Sequence, residues 1–170
     1  MAITLQFPVR DRATPAESAK ILKQALQKRF PAVRFSVRLG RGTGYGDCDV
    51  SWTDGPTVAL VEPITWPFEG QTFDGMTDMR EYTRAILPDG RQSGLKLILT
   101  QRNVSPALAR KAAAQVAAYY GIPEPVITEY ETGYWRVEND SVQIAGTHEY
   151  WGTLIHRAAS DASRYRREGV

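Results

Sequence analysis

The feature that most restricts this chain is a strict two-residue alternation on both sides of a glycine-rich gap, between Phe30 and Pro56. Val33, Phe35, Val37 and Leu39 alternate with Arg34, Ser36 and Arg38. Beyond the gap, Cys48, Val50 and Trp52 alternate with Asp47, Asp49, Ser51 and Thr53. A period of two places each apolar set on one face of an extended strand. Two such arms around a short loop predict an antiparallel hairpin with one buried and one wet face. Keeping the apolar sets together sets Leu39 opposite Cys48, Val37 opposite Val50 and Phe35 opposite Trp52. Arg38 then faces Asp49, and Ser36 faces Ser51. A slip of one residue would turn charge inward, so the register is expected to be firm.

The flanking segments supply helices. Thr14-Pro15-Ala16-Glu17 reads as a cap, a proline at the first helical position and a glutamate that closes a capping box. The helix predicted there runs to about Arg29, with Ala19, Leu22, Ala25, Leu26 and Phe30 as its apolar stripe. Ser105-Pro106 opens a second long helix through Leu108, Ala112 and Val116, ended by Gly121. Leu95 to Gln101 is almost continuously apolar and predicts a central strand, and Glu81 to Leu87 predicts another. Residues 3–9 read as a short edge strand, and Thr57 to about Val61 as a short helix that Pro63 and Pro67 interrupt. Val126 to Glu131, Tyr134 to Glu138 and Ser141 to Ile144 read as later strands. His148 to about Arg164 reads as a last helix before a flexible tail at 164–170. The fold expected is α+β in one domain over residues 1–170: an antiparallel sheet of four or more strands with two long helices packed on one face.

Three stretches carry a family resemblance: FPAVRFSVR (30–38), VSWTDGP (50–56) and FDGMTDM (73–79). With the helix before them, they resemble the large polyvalent protein-associated domain family, the twenty-ninth of that numbered series, between Thr14 and Met79. A fainter likeness continues through LTQRNVSPALA (99–109). Domains of this family occur in long multidomain proteins of phages and conjugative elements. The resemblance therefore implies a mobile-element origin and no particular reaction. A start at Met1 favours a complete small protein.

The net charge of +2 hides large local excesses. Residues 14–46 carry seven basic and one acidic residue, and residues 47–81 one basic and eight acidic. Residues 82–121 carry six basic and one acidic, and residues 122–150 one basic and six acidic. Such alternating blocks predict complementary faces within the fold, or separated patches on its surface. Arg38 opposite Asp49 argues for the first. One cysteine, Cys48, allows no internal disulfide and suits a reducing cytoplasm. No signal peptide pattern opens the chain, and no apolar run approaches the roughly twenty residues that span a bilayer.

No catalytic constellation stands out. Asp47, Asp49, Asp54, Asp74 and Asp78 gather acidity on and after one hairpin arm, as a magnesium-dependent nuclease would need. They equally suit ion pairs, turns or a basic partner. His148 and His156 are too far apart on one helix to share a zinc, and Cys48 sits on an apolar face. Arg34, Arg38, Arg41 and Tyr45, with Lys20, Lys23 and Lys28 on the preceding helix, are the residue types that track a phosphate backbone. Tyr134 and Trp135 lie among aromatics in an acidic segment, as interface anchors or as core. The expected binding residues are thus Arg34, Arg38, Arg41, Tyr45, Asp47, Asp49, Asp74, Asp78, Tyr134 and Trp135, with no metal and no cofactor.

Three function classes follow. The first is a non-enzymatic, counter-defence binding protein of a phage or other mobile element. It would dock on a host effector complex as anti-CRISPR or anti-restriction proteins do. The second is a nucleic-acid-binding module of phage or plasmid DNA transfer. The third is a metal-dependent nuclease. None requires a membrane.

Overall fold

The computed structural model describes residues 12–74, 79–82, 85–140 and 149–161. Its first helix, α1 (Pro15–Arg29), begins at the expected cap. The Thr14 hydroxyl accepts from the Glu17 amide at 3.2 Å, and the Glu17 carboxylate accepts from the Thr14 amide at 2.8 Å. This closes the capping box and satisfies two amides that a helix start leaves open. A later part of the chain joins this start. Ala13 N–H donates to Gln92 C=O at 2.9 Å, and Gly94 N–H donates to Ser18 Oγ at 2.9 Å. A β-carbon on Gly94 would lie 2.4 Å from the Ala13 carbonyl oxygen, so only glycine fits that approach.

The hairpin follows as β1 (Ser36–Leu39) and β2 (Cys48–Thr53), antiparallel. Its pairs are Leu39 with Cys48, Val37 with Val50, Arg38 with Asp49 and Ser36 with Ser51, which is the register the alternation predicts. Just beyond the ladder, the Phe35 and Trp52 rings meet at 5.5 Å between centroids. α1 lies on the apolar face, where Leu22 and Leu26 are buried with Phe35, Cys48, Val50 and Trp52. Full burial of each of those leucines contributes about 1.5–3 kcal/mol.

After the turn at residues 54–56, α2 (Val58–Thr65) runs straight through Pro63 and passes into a single 3-10 turn, Trp66–Phe68. The expected break at Pro63 does not occur. Pro63 is the sixth of eight helical residues, so its missing N–H forfeits one i→i−4 bond and the helix ends two residues later. Among the described residues, two short strands, β3 (Gln71–Asp74) and β4 (Met79–Tyr82), form a two-stranded sheet of their own. β5 (Ile98–Asn103) adds to the hairpin in the order β1-β2-β5.

The expected sheet of four or more strands is therefore corrected. The described residues form one three-stranded sheet and two separate two-stranded hairpins. The strand expected at 81–87 is instead the end of β4 and then, at residues 85–93, a tight turn held by Leu87 N–H to Arg91 C=O at 2.8 Å. β5 is an edge and not a centre. Ile98 is buried, whereas Leu99 is 55 % exposed, and burial alternates from there on.

The second long helix, α3 (Pro106–Tyr120), belongs to a different apolar cluster from that of the sheet. It packs with β6 (Ile127–Glu129), β7 (Trp135–Val137) and α4 (Trp151–Ser160) around an apolar cluster of its own. The chain accordingly divides into two compact units, Met1–Arg102 and Asn103–Val170. In the second unit Ser105 caps α3, accepting from Leu108 N–H at 3.1 Å, and Gly121 ends it at φ 68°, in the left-handed region. Ala109, Ala112, Ala113, Val116 and Ala117 form the buried stripe of α3 against Leu154, Ile155 and Ala158 of α4. The strands expected at 3–9 and 141–144 and the tail at 164–170 lie outside the described residues. Among the described residues no helix is long and apolar enough to cross a membrane.

Candidate binding surface

The hairpin's loop is knitted by its own backbone. Gly40 N–H donates to Asp47 C=O at 2.9 Å, Tyr45 N–H to Gly42 C=O at 3.1 Å, and Asp47 N–H to Gly44 C=O at 2.9 Å. These bonds fold the tip into a 3-10 turn, Gly42–Gly44, and push Tyr45 outward to 62 % exposure beside an exposed Arg41. The loop leads into a strand, so it lacks the helix N-terminus that a phosphate-cradling glycine loop uses.

On the wet face, Arg38 and Asp49 are direct neighbours across the ladder, and both are exposed. Neither closes an ion pair. Among the described residues the side chains of Arg34, Arg38, Arg41, Asp47 and Asp49 have no hydrogen bond or salt bridge. The charge excess of this segment is thus displayed on the surface rather than neutralised across the strands. Ion pairs form elsewhere. Arg91 meets Glu17 and Asp89 at 2.8 Å each, Arg110 meets Glu129 at 3.0 Å, and Arg157 meets Glu149.

The arginines and the helix lysines do not share a surface. Lys20, Lys23 and Lys28 are exposed on the side of α1 away from the sheet, whose apolar face α1 covers. Arg38 and Asp49 point from the other side of that sheet. A helix about 10–12 Å thick and the sheet itself separate the two charged groups. One phosphate backbone cannot lie straight along both.

Several groups that the sequence did not single out are the most electrostatically perturbed. Hydrogen bonds from Arg91 and from Thr14 hold the Glu17 carboxyl down at about 2. The Asp89 carboxyl is lowered chiefly by Arg91, whose own guanidinium is raised in return. Burial raises the Glu69 carboxyl, against the bond it accepts from Ile98 N–H at 2.7 Å, and the nearby Glu62 adds to the rise. Burial lowers Arg102, which donates to the carbonyls of Asp54 at 3.2 Å and Gly55 at 3.3 Å. Burial, with the charge of Asp49, pushes the Cys48 thiol up to about 11, so at neutral pH it is a protonated core residue. No sequence signal marks Glu69 or Arg102, since their partners lie 29 and 47–48 residues away.

Among the described residues no three His, Cys, Asp or Glu side chains come together to hold a metal ion. Asp74 is the last residue of β3, and Asp78 and His148 lie outside the described residues. His156 is exposed on α4, stacked on the Trp135 ring at 5.1 Å.

In the second unit the two expected anchors part ways. Tyr134 is 65 % exposed, its ring 5.8 Å from that of Tyr130. Trp135 is only 8 % exposed and donates its indole N–H to Val104 C=O at 2.8 Å, so it closes the core. A polar groove of about 400 Å³ runs beside it, lined by Thr128, Tyr130, Arg136, Val137, Glu138 and Asn139.

The first unit is therefore an α+β module: one capped helix on a three-stranded sheet, with a hairpin face whose charges have no internal partners. The chain belongs to the large polyvalent protein associated domain 29 family, whose model matches residues 13–105, more than half of its length. The match begins one residue before the α1 cap and ends at the cap of α3, so it covers residues 13–102 of the first unit and the first three of the second. Membership sets the chain in a phage or mobile-element context. No curated protein and no solved structure matches the chain.

Proposed function

We propose that this is a non-enzymatic binding protein of a phage or other mobile element that acts in counter-defence. It docks on a host effector complex as an anti-CRISPR or anti-restriction inhibitor does. One observation carries the docking part: Arg38 and Asp49 stand side by side, exposed, with no ion pair between them. A surface with both signs unneutralised suits a protein partner with the opposite pattern better than a uniformly negative polymer, because Asp49 would repel phosphate beside Arg38. Family membership supplies the mobile-element setting.

The test uses the full chain as bait in host lysate, at low and high salt, with and without nuclease. The expected result is a defence effector that survives nuclease and is lost from an Arg38→Glu, Asp49→Lys double variant. Recovery of nucleic acid alone, released by salt, overturns the reading. That second outcome is the alternative favoured by the tip, where Arg41 and the exposed Tyr45 could hold a phosphate and a stacked base.

A further inference from the structure

The two edges of the three-stranded sheet are not alike. At the β5 edge, the Glu69 carboxylate accepts from Ile98 N–H at 2.7 Å. Just before it, Gly70 N–H and Gln71 N–H donate to the carbonyls of Leu95 and Lys96 at 3.0 and 3.1 Å. The start of that edge is closed. At the β1 edge the ladder geometry leaves groups open. Gly40 N–H donates to Asp47 C=O, so the hydrogen-bonded pairs of this hairpin are Arg38 with Asp49 and Ser36 with Ser51. The intervening residues, Val37 and Leu39, must then aim their N–H and C=O groups away from β2. Among the described residues these groups have no partner.

Charge is sorted across the same hairpin. Arg34, Arg38 and Arg41 lie on or beside the edge strand, and Asp47 and Asp49 on or beside the inner one. Val37 and Leu39 are only partly buried on the core side. We propose that the β1 edge accepts an extended segment of a partner protein by strand addition, and that this segment alternates apolar with acidic residues. Its apolar positions would extend the core beside Val37 and Leu39, and its acidic positions would sit beside Arg38. Strand spacing of about 4.8 Å brings the acidic side chains within reach of that guanidinium. The inference deepens the docking reading by naming the partner's chemistry, and it shares only the hairpin with it.

The probe is a capped ten-residue peptide alternating valine and glutamate, compared with one alternating valine and lysine and with a single-stranded oligonucleotide. Binding to the full chain is followed by residue-resolved amide exchange. The glutamate peptide is expected to slow exchange at Val37 and Leu39 by about tenfold or more. Arg38→Glu, a surface change that leaves the fold in place, is expected to shift preference to the lysine peptide by roughly fivefold. Binding of either peptide without protection of those two amides overturns the proposal, as does protection by both peptides alike. It is also overturned if the oligonucleotide binds more tightly and leaves the two amides fast. Slow exchange there before any peptide is added would mean that the edge is already paired, and would overturn it too. Loss of effector capture with peptide binding intact removes the effector reading alone.

Discussion

The two hairpins β1–β2 and β6–β7 are built alike and used differently. Each buries a tryptophan on its second arm, and each indole donates to a main-chain carbonyl: Trp52 to Pro56 at 2.9 Å, Trp135 to Val104 at 2.8 Å. The first partner is four residues on, in the turn that follows the hairpin, and the second is thirty-one residues back. Their charges differ in the same sense. The first hairpin leaves Arg38 and Asp49 without ion pairs, whereas around the second Arg110 pairs with Glu129 and Thr128 bonds Glu138. A hairpin completed by local contacts can display its outer face. One that must hold distant parts of a core together uses its polar groups internally.

The largest expected effects fall on the shared element. Trp52→Ala and Trp135→Ala should each cost about 3–5 kcal/mol in urea unfolding. A small loss at either site would break the likeness. Conversion to phenylalanine sharpens the difference, because it removes mainly the N–H. Trp135→Phe leaves the carbonyl of a residue only 8 % exposed unpaired and should cost about 1–3 kcal/mol. Trp52→Phe frees a carbonyl on a half-buried turn residue that water can reach, and should cost less. Equal losses would mean that the local and distant anchors are equivalent.

Charge removal comes next. Arg110→Ala breaks an exposed pair and should lower stability by about 0.2–1 kcal/mol. Arg38→Ala should change it by no more than about 0.5 kcal/mol, since it breaks no pair, and should act on partner capture instead. Thermal melts of both variants beside the pull-down separate the two uses.

The smallest effect concerns where the first unit does use charge, at the α1 cap. Glu17 is lowered from its ordinary 4.5 to about 2. Its contribution is therefore fully present above pH 4.5 and is lost as pH falls through about 2. Glu17→Gln keeps the capping-box bonds but not the titration. The stability difference between wild type and this variant should shrink across that interval. A difference that stays flat would remove the ion pair with Arg91 as its cause.

These contrasts also explain what the sequence could tell. The Phe30–Pro56 register was legible because alternation, turn and satisfied indole all lie within one short stretch, and one slip reverses every side chain. The caps of α1 and α3 were legible for the same local reason. The sheet's size was not. Leu95 to Gln101 looks central by composition, yet its start is fixed by Glu69, and no periodicity encodes a carboxylate that closes an edge. Pro63 reads as a stop for α2, yet the helix forgoes the one bond that the missing N–H would make and runs two residues further. Of the candidate site, the hairpin arginines and aspartates could be placed on one face by parity alone. That α1 sets the lysines on the opposite side follows from which face it covers, a tertiary fact. Trp135 reads as anchor or core from sequence, and its bond to Val104 decides for core.

The junction at the head of α1 has a consequence for how the chain is made. Glu17 and Ser18 leave the ribosome before Arg91 and Gly94, which complete their bonding and follow 74 and 76 residues later. At 5–20 residues per second that interval is roughly 4–15 s. Until then the nascent helix has its own capping box and nothing docked against its first turn. The first unit closes only when its last quarter has been translated, so a pause near Gly94 would prolong the time for which the first turn of α1 stands undocked.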